Sequence, residues 1–302
     1  MIDPDPDFES HVDALRERGG PIPADEVEVL CTERGVSVDA LMLRLLPTAA
    51  AFARVPISSY PVGAVAQGLM EDGRGVGALY LGANVEFTGQ ALAFSVHAEQ
   101  AAVINAWQHG ECGLTAIATS AAPCGHCRQF LYEVVAASRM RVLESPPVGS
   151  QVPRNTALSA LLPHAFTAVD LGLAGGLMDP RFEEPLLSLQ DPDTLVQAAV
   201  DAARQSYVPY TFGRAGCALE TVSGGVFVGR YAESAAYNPS VSPLESAVAF
   251  MVMNSPAGAS REITRAVLVE SPSKASQRGA TEAVLGSVAP GVRLEYREIG
   301  SA

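Results

Sequence analysis

Basic charge is scarce in this chain: 20 lysines and arginines stand against 33 aspartates and glutamates over 302 residues, a formal net charge of -13. A surface of that sign repels phosphate backbones and forgoes the counterion release that drives nucleic-acid binding. Net charge leaves room for a local basic patch, but it makes a free small molecule the expected substrate rather than a nucleic acid polymer. Long apolar runs are missing, so no membrane span is expected. The five cysteines are an odd number. The N-terminus reads Met1-Ile2-Asp3-Pro4-Asp5, acidic where an export signal is basic, so reduced thiols and a cytoplasmic location are expected. Stretches of low hydrophobicity and high charge are short, which argues against disorder beyond the termini. What is present is core material, with 48% hydrophobic residues and a length that suits two domains or a duplicated one.

The pattern along the chain is α/β. Asp25 to Arg34 and Val38 to Leu46 carry apolar residues at three- and four-residue spacings, with Gly35 as a break, and read as short helices. Val62 to Ala66 and Gly77 to Leu81 are apolar runs flanking the turn Glu71-Asp72-Gly73-Arg74-Gly75, so they read as a buried hairpin. A helix over Val96 to Trp107, stopped near Gly110, leads to a strand at Leu114 to Thr119. Pro123 then opens a helix whose apolar stripe is Phe130, Leu131, Val134 and Val135. Strand, strand, helix, strand, helix is the order of a layered α/β domain. After a proline- and glycine-rich linker reaching Pro192, Leu195 to Arg204 reads as a helix. Cys217 to Glu220 and Val226 to Gly229 then flank a second turn, Ser223-Gly224-Gly225. The repetition points to an internal duplication, in which Gly82 pairs with Gly229, Asn84 with Tyr231, Glu86 with Glu233, His97 with Pro243 and Glu99 with Glu245.

Two motifs carry chemistry, His97-Ala98-Glu99 and Pro123-Cys124-Gly125-His126-Cys127. H-x-E followed by P-C-x-x-C is the general signature of zinc deaminases. One imidazole and two thiolates make three ligands for Zn2+, the count that keeps a fourth tetrahedral position open for water. Cys124 and Cys127 are three apart at the start of a helix, so both sulfurs can face one point and the helix N-terminus favours their thiolates. Glu99, two residues past His97, is read as the proton shuttle and not as a ligand. It takes the proton of the metal-held water, the hydroxide attacks the ring carbon bearing the amino group, and Glu99 returns protons to the ring nitrogen and the departing ammonia. Duller readings exist. A redox Cys-x-x-Cys pair leaves His97 and Glu99 without a task, and a structural zinc site needs a fourth ligand, for which His126 is the candidate.

At these residues the sequence resembles cytidine deaminases, specifically the long, homodimeric bacterial class. The likeness is carried by the run from Leu81 to Gly89, by Val96-His97-Ala98-Glu99-Gln100 and by Pro123 to Phe130, and it is strongest from about Pro56 to Glu133. It implies a three-layer αβα sandwich, duplicated, with a small N-terminal helical region. It also implies hydrolytic deamination of free cytidine and deoxycytidine. Asn84 and Glu86 would hydrogen-bond the ribose, and the Ala98 backbone would bind the pyrimidine carbonyl. Tyr60 stands where the family places a phenylalanine against the nucleoside, and its hydroxyl needs a partner. Arg128 would offset the charge of the two thiolates, and Phe166 would reach into the neighbouring subunit's site, implying a homodimer.

On this reading the chain divides into an N-terminal helical region (1–46), a catalytic domain (47–150), a linker with the partner-reaching segment (151–190) and a degenerate deaminase-like domain (191–302). No histidine follows His164 and no cysteine follows Cys217, so the second copy cannot assemble a zinc centre, although Glu245 persists. A deaminase of a related ring and a non-catalytic zinc-stabilised binding protein are the competing readings. The retained Glu99 argues against the latter, because a structural site has no use for a buried shuttle carboxylate.

Overall fold

The computed structural model describes residues 12, 14–15, 17–69, 76–146, 149–150, 152–182 and 187–300. The turn expected at Glu71 to Gly75 lies outside the described residues. Helix α1 (Ala24–Arg34) ends at Gly35, which takes the left-handed conformation (φ 58°). Ser37 then caps α2 (Val38–Ala50) by accepting from the Ala40 amide, the usual role of serine at that position. Strands β1 (Gly63–Gly68) and β2 (Leu79–Ala83) pair antiparallel, and β1 also pairs antiparallel with β3 (Leu114–Thr119). Helix α3 (Ala98–Gln108) precedes β3 and α4 (Gly125–Leu131) follows it. Two strands that the sequence pattern does not reveal complete the sheet, β4 (Arg141–Glu144), parallel to β3, and β5 (Arg154–Ala157), antiparallel to β4. Each is only four residues long, too short to display alternation, and β5 falls in the segment read as linker. The strand order is β2-β1-β3-β4-β5.

The second half repeats the plan. Helix α5 (Thr194–Arg204), strands β6 (Ala215–Thr221) and β7 (Val226–Arg230), helix α6 (Pro243–Asn254), strand β8 (Ile263–Glu270), helix α7 (Arg278–Val288) and strand β9 (Leu294–Glu298) give a sheet ordered β7-β6-β8-β9. Strand β8 runs antiparallel to β6 and parallel to β9, as β3 does to β1 and β4.

Close approach of backbone fixes the layers. A Cβ added at Gly63 would fall on the Leu46 carbonyl and the Ala50 amide of α2, and one at Gly82 on the Ala98 carbonyl and the Ala102 amide of α3. Gly63 pairs with Ala83 and Gly82 with Ala64. Cross-strand partners share a sheet face and neighbours along a strand alternate, so α2 and α3 lie on opposite faces: a three-layer αβα sandwich. Gly216 and Gly229 repeat the arrangement against α5 and α6. Helix α2 is therefore the counterpart of α5, and a division after residue 46 cuts through it.

The equivalence of the halves also corrects one register. Glu86 accepts from the Ile57 and Ser58 amides and the Ser58 hydroxyl, and Glu233 accepts from the Tyr210 and Thr211 amides and the Thr211 hydroxyl, so this pair matches. Beyond it the second half is shorter by two residues. Gly82 touches Ala98 and Gly229 touches Pro243, each the first residue of its helix. His97 therefore corresponds to Ser242 and not to Pro243. Glu99 corresponds to Leu244, and Glu245 is the counterpart of Gln100. Both of the latter reach back from the third helical position to the amide of the capping residue. The carboxylate read as a persisting shuttle is a helix cap.

The halves pack through α3 and α6 and share one apolar cluster that includes Ile104, Val248 and Val252. Asn254 donates to the Asn105 side chain at 2.9 Å, and Arg230 donates to the Trp107 carbonyl at 2.8 Å while lying over the indole ring.

Candidate active site

Two helix N-termini meet below the ends of β1 and β3. His97 caps α3 and Cys124 caps α4, so the cysteine pair spans a cap and the first turn, with Cys124 accepting from the Cys127 amide. The apolar stripe read for α4 is shorter than expected. The helix stops at Leu131; Val134 forms an isolated parallel bridge with Leu177 and Val135 lies in a turn.

The His97 Nδ1 lies 3.2 Å from the Cys127 Sγ and 3.5 Å from the Cys124 Sγ, and the two sulfurs are 3.7 Å apart. Zinc–ligand bonds at tetrahedral angles predict edges of about 3.5 Å for nitrogen to sulfur and about 3.8 Å for sulfur to sulfur. The three atoms thus form one face of a tetrahedron, and both the donor types and the spacing fit a zinc ion. Among the described residues this is the one group of three histidine, cysteine or acidic side chains able to hold a metal. His126 is not a fourth ligand. Its ring stacks on His97 at 5.4 Å between centroids, and its Nε2 faces the Gln100 amide.

The three side chains set one another's charges. Hydrogen bonds from Cys127 and His97 hold the Cys124 thiol down to about 3, while the same bond to Cys124, together with burial, pushes the Cys127 thiol well up. The His97 imidazole is pushed up, first by its hydrogen bond to Cys124. The imidazole of His97 beside Cys124 favours the thiolate of that residue. Glu99 is 5% exposed, beside the Cys127 thiol, and burial raises its carboxyl above the ordinary range.

His97, Ala98, Glu99 and Cys124 line a cavity of about 300 Å³ together with Asn84 and Glu86. Asn84 is held at both ends, accepting from the Val62 amide and donating to the Tyr60 carbonyl, and Glu86 is held by the Ile57–Ser58 turn. Arg128 donates to the Pro123 and Leu161 carbonyls, tying the linker to the cysteine loop. Tyr60 and Phe166 stand outside the cavity lining, 63% and 46% exposed. Leu92, Ser95 and Ala121 line the cavity and were not singled out from sequence. Leu92 and Ala121 are apolar and Ser95 stands in no motif, so they carry no chemical signal that a single sequence can show.

Two models described as the cytidine and deoxycytidylate deaminase zinc-binding region match the chain, over residues 36–143 and 158–282. The Cytidine deaminase of Aeromonas hydrophila is 43% identical over 91% of this chain and 88% of its own length. The chain belongs to the cytidine deaminase family. Similar too are the Cytidine deaminases of Shewanella sediminis, 41% identical over 93% of this chain and 89% of that one, and of Pectobacterium atrosepticum, 45% identical over 76% and 72%. Coverage of that extent makes it a family member of the long bacterial type, a hydrolase whose family region binds zinc. Both copies of the family region match, yet among the described residues only the first holds a metal-ligating set. No helix among the described residues is long and apolar enough to cross a membrane.

Proposed function

We propose that the chain deaminates free cytidine and deoxycytidine hydrolytically to uridine and deoxyuridine, with His97, Cys124 and Cys127 holding the zinc and Glu99 moving the protons. The observation that carries this reading is a buried carboxylate sharing one cavity with a His–Cys–Cys face. Zinc bound to such a set supplies a water that ionises near neutral pH. Glu99, kept from solvent and raised by burial, takes the proton as the oxygen adds to the ring carbon bearing the amino group. It passes that proton to the adjacent ring nitrogen. The second proton of the water leaves with the amino group as the carbon–nitrogen bond breaks, giving ammonia and the uracil ring.

Orientation falls to the remaining walls. The Ala98 amide, in the first turn of α3, has no carbonyl within the helix to bond and is assigned the pyrimidine carbonyl. Asn84 and Glu86 are assigned the ribose hydroxyls. Their bonds to the neighbouring chain leave an amide hydrogen and carboxylate lone pairs to spare, and those bonds hold both groups rigid. Tyr60 is assigned the stacking position at the mouth, with Phe166 supplied by a second copy of the chain, which makes the active form a homodimer. The exposed Tyr60, Leu92, Phe166 and Val169 are the apolar surface such a partner would cover. Residues 191–302 are proposed as the scaffold copy.

A turnover assay on cytidine, deoxycytidine and a cytosine-containing oligonucleotide, with zinc quantified on the same sample, tests the proposal. Both nucleosides should be deaminated and the oligonucleotide spared, with one zinc per chain. Glu99→Ala should keep the zinc and lose turnover by roughly a thousandfold or more. Wild-type turnover in that variant would remove Glu99 from its role. Full zinc with no nucleoside turned over would sink the enzymatic reading.

A further inference from the structure

Away from the zinc cluster, a cavity of about 260 Å³ lies between the segment after α2 and the turn after α6, and two arginines share it, Arg54 and Arg261. No carboxylate lines it, and among the described residues neither guanidinium has an ion-pair partner, in a chain whose net charge is -13. Arg261 is fixed in place, donating to the Val252 and Ser255 carbonyls, with its Nε buried and unpartnered. Burial and the facing charge of Arg54 press its pKa down, so the unbound arrangement carries uncompensated positive charge.

The internal duplication supplies a comparison. Tyr207 corresponds to Arg54, since each bridges the strand extension that leads to the equivalent glutamates. The groove beside Tyr207 is filled by linker residues, among them Met178, Pro180 and Phe182, leaving about 60 Å³, with the Phe182 ring edge-on to Tyr207. Its counterpart at Arg54 is a wider cavity with two cations in its wall.

We propose that the Arg54–Arg261 cavity binds a phosphate oxyanion, either free inorganic phosphate or the phosphate of a nucleotide, clamped between the two halves of the chain. Two guanidiniums converging from separate elements suit an anion with several oxygens, which paired N–H donors bind better than point charges do. The volume is below that usual for drug-sized ligands and suits the phosphate group itself. The site is linked to the substrate cavity through one residue: the Arg54 amide donates to the Asn84 carbonyl and the Arg54 carbonyl accepts from the Glu86 amide, at 2.9 and 2.8 Å.

The test is a thermal-melting titration of the full chain with inorganic phosphate and, separately, with a nucleoside monophosphate, sodium chloride holding the ionic strength constant. Saturation should raise the melting temperature by roughly 3 °C or more, and both Arg54→Gln and Arg261→Gln should abolish the rise. A monophosphate acting at concentrations tenfold or more below those of phosphate would identify a nucleotide as the source, and equal potency would identify the free anion. A shift no larger than chloride produces, or one undiminished in both variants, overturns the proposal. The melting transition itself reports whether each variant is folded.

Discussion

Glu245 is 5% exposed and holds the Ser242 amide at 2.8 Å, and burial pushes its carboxyl up to about 7. A folded-state value above the unfolded one means that the native protein binds the proton more tightly. The resulting stability is complete below the unfolded value near 4.5 and is lost as pH rises through about 7. Glu245→Gln keeps an acceptor for the cap and removes the titration. The wild-type unfolding free energy should therefore fall between pH 5 and pH 8 by up to about 3 kcal/mol more than that of the variant, as measured by urea unfolding at both values. Parallel pH profiles would show that the group does not change its charge on unfolding. The same residue marks where the sequence misleads. A glutamate at nearly the right interval after Gly229 looks like a retained Glu99, and only the contact of Gly229 with Pro243 shows that it is the counterpart of Gln100. By contrast the convergence of His97, Cys124 and Cys127 is legible directly, because zinc accepts so few side-chain types as ligands.

Elements are positioned here by what the strands lack. Gly82 lets the first turn of α3, with His97 and Glu99 on it, lie directly on the sheet, and Gly63 does the same for α2 on the opposite face. Gly82→Ala places a methyl on the Ala98 carbonyl and Ala102 amide, backbone atoms that cannot yield without moving α3. A loss of about 3 kcal/mol or more of stability is expected, together with weakened zinc retention, because the displaced turn carries one ligand. Urea unfolding and metal analysis on the purified variant check both, and a variant as stable as wild type would mean that α3 does not sit where its contacts place it. No sequence reading covers α6, β8, α7 or β9, but the helices and β1 to β3 of the first half, and α5, β6 and β7 of the second, were legible from spacing and from turn residues such as Gly35 and Gly110. Strands β4 and β5 were not, since four-residue segments whose pairing is set by neighbours distant in sequence carry no period of their own. That Tyr60 and Phe166 are not among the residues lining the cavity was likewise hidden, because side-chain direction across a loop depends on packing and not on motif.

At the scale of the whole molecule the sequence shows that a copy exists, through Gly229 and Glu233, but not how the copies join, because the contacts between them pair residues more than seventy positions apart. Glu133 is the clearest of these. It is the second residue past α4 and is 2% exposed, and its carboxylate crosses into the second half to accept from the Tyr207 hydroxyl at 3.1 Å, the Tyr210 hydroxyl at 2.6 Å and the Ala235 amide at 2.7 Å. Tyr210 and Ala235 flank Glu233, the residue that corresponds to Glu86, so a carboxylate of the first half organises loops of the second, which has no metal-ligating set among the described residues. Burial raises the Glu133 carboxyl, and the hydrogen bonds from Tyr210, Ala235, Tyr207 and Ser234 oppose that. Removing the side chain strands three polar groups in a region closed to water, and each stranded group costs about 1–3 kcal/mol. Glu133→Ala should therefore destabilise the protein by about 3–5 kcal/mol, while Glu133→Gln, which retains an acceptor, should lose less. If the second half is structural support for the first, unfolding of Glu133→Ala followed by zinc release and by far-ultraviolet circular dichroism should give one coincident, shifted transition. Separation into two transitions, with zinc held through the earlier one, would show that the catalytic half stands without its copy.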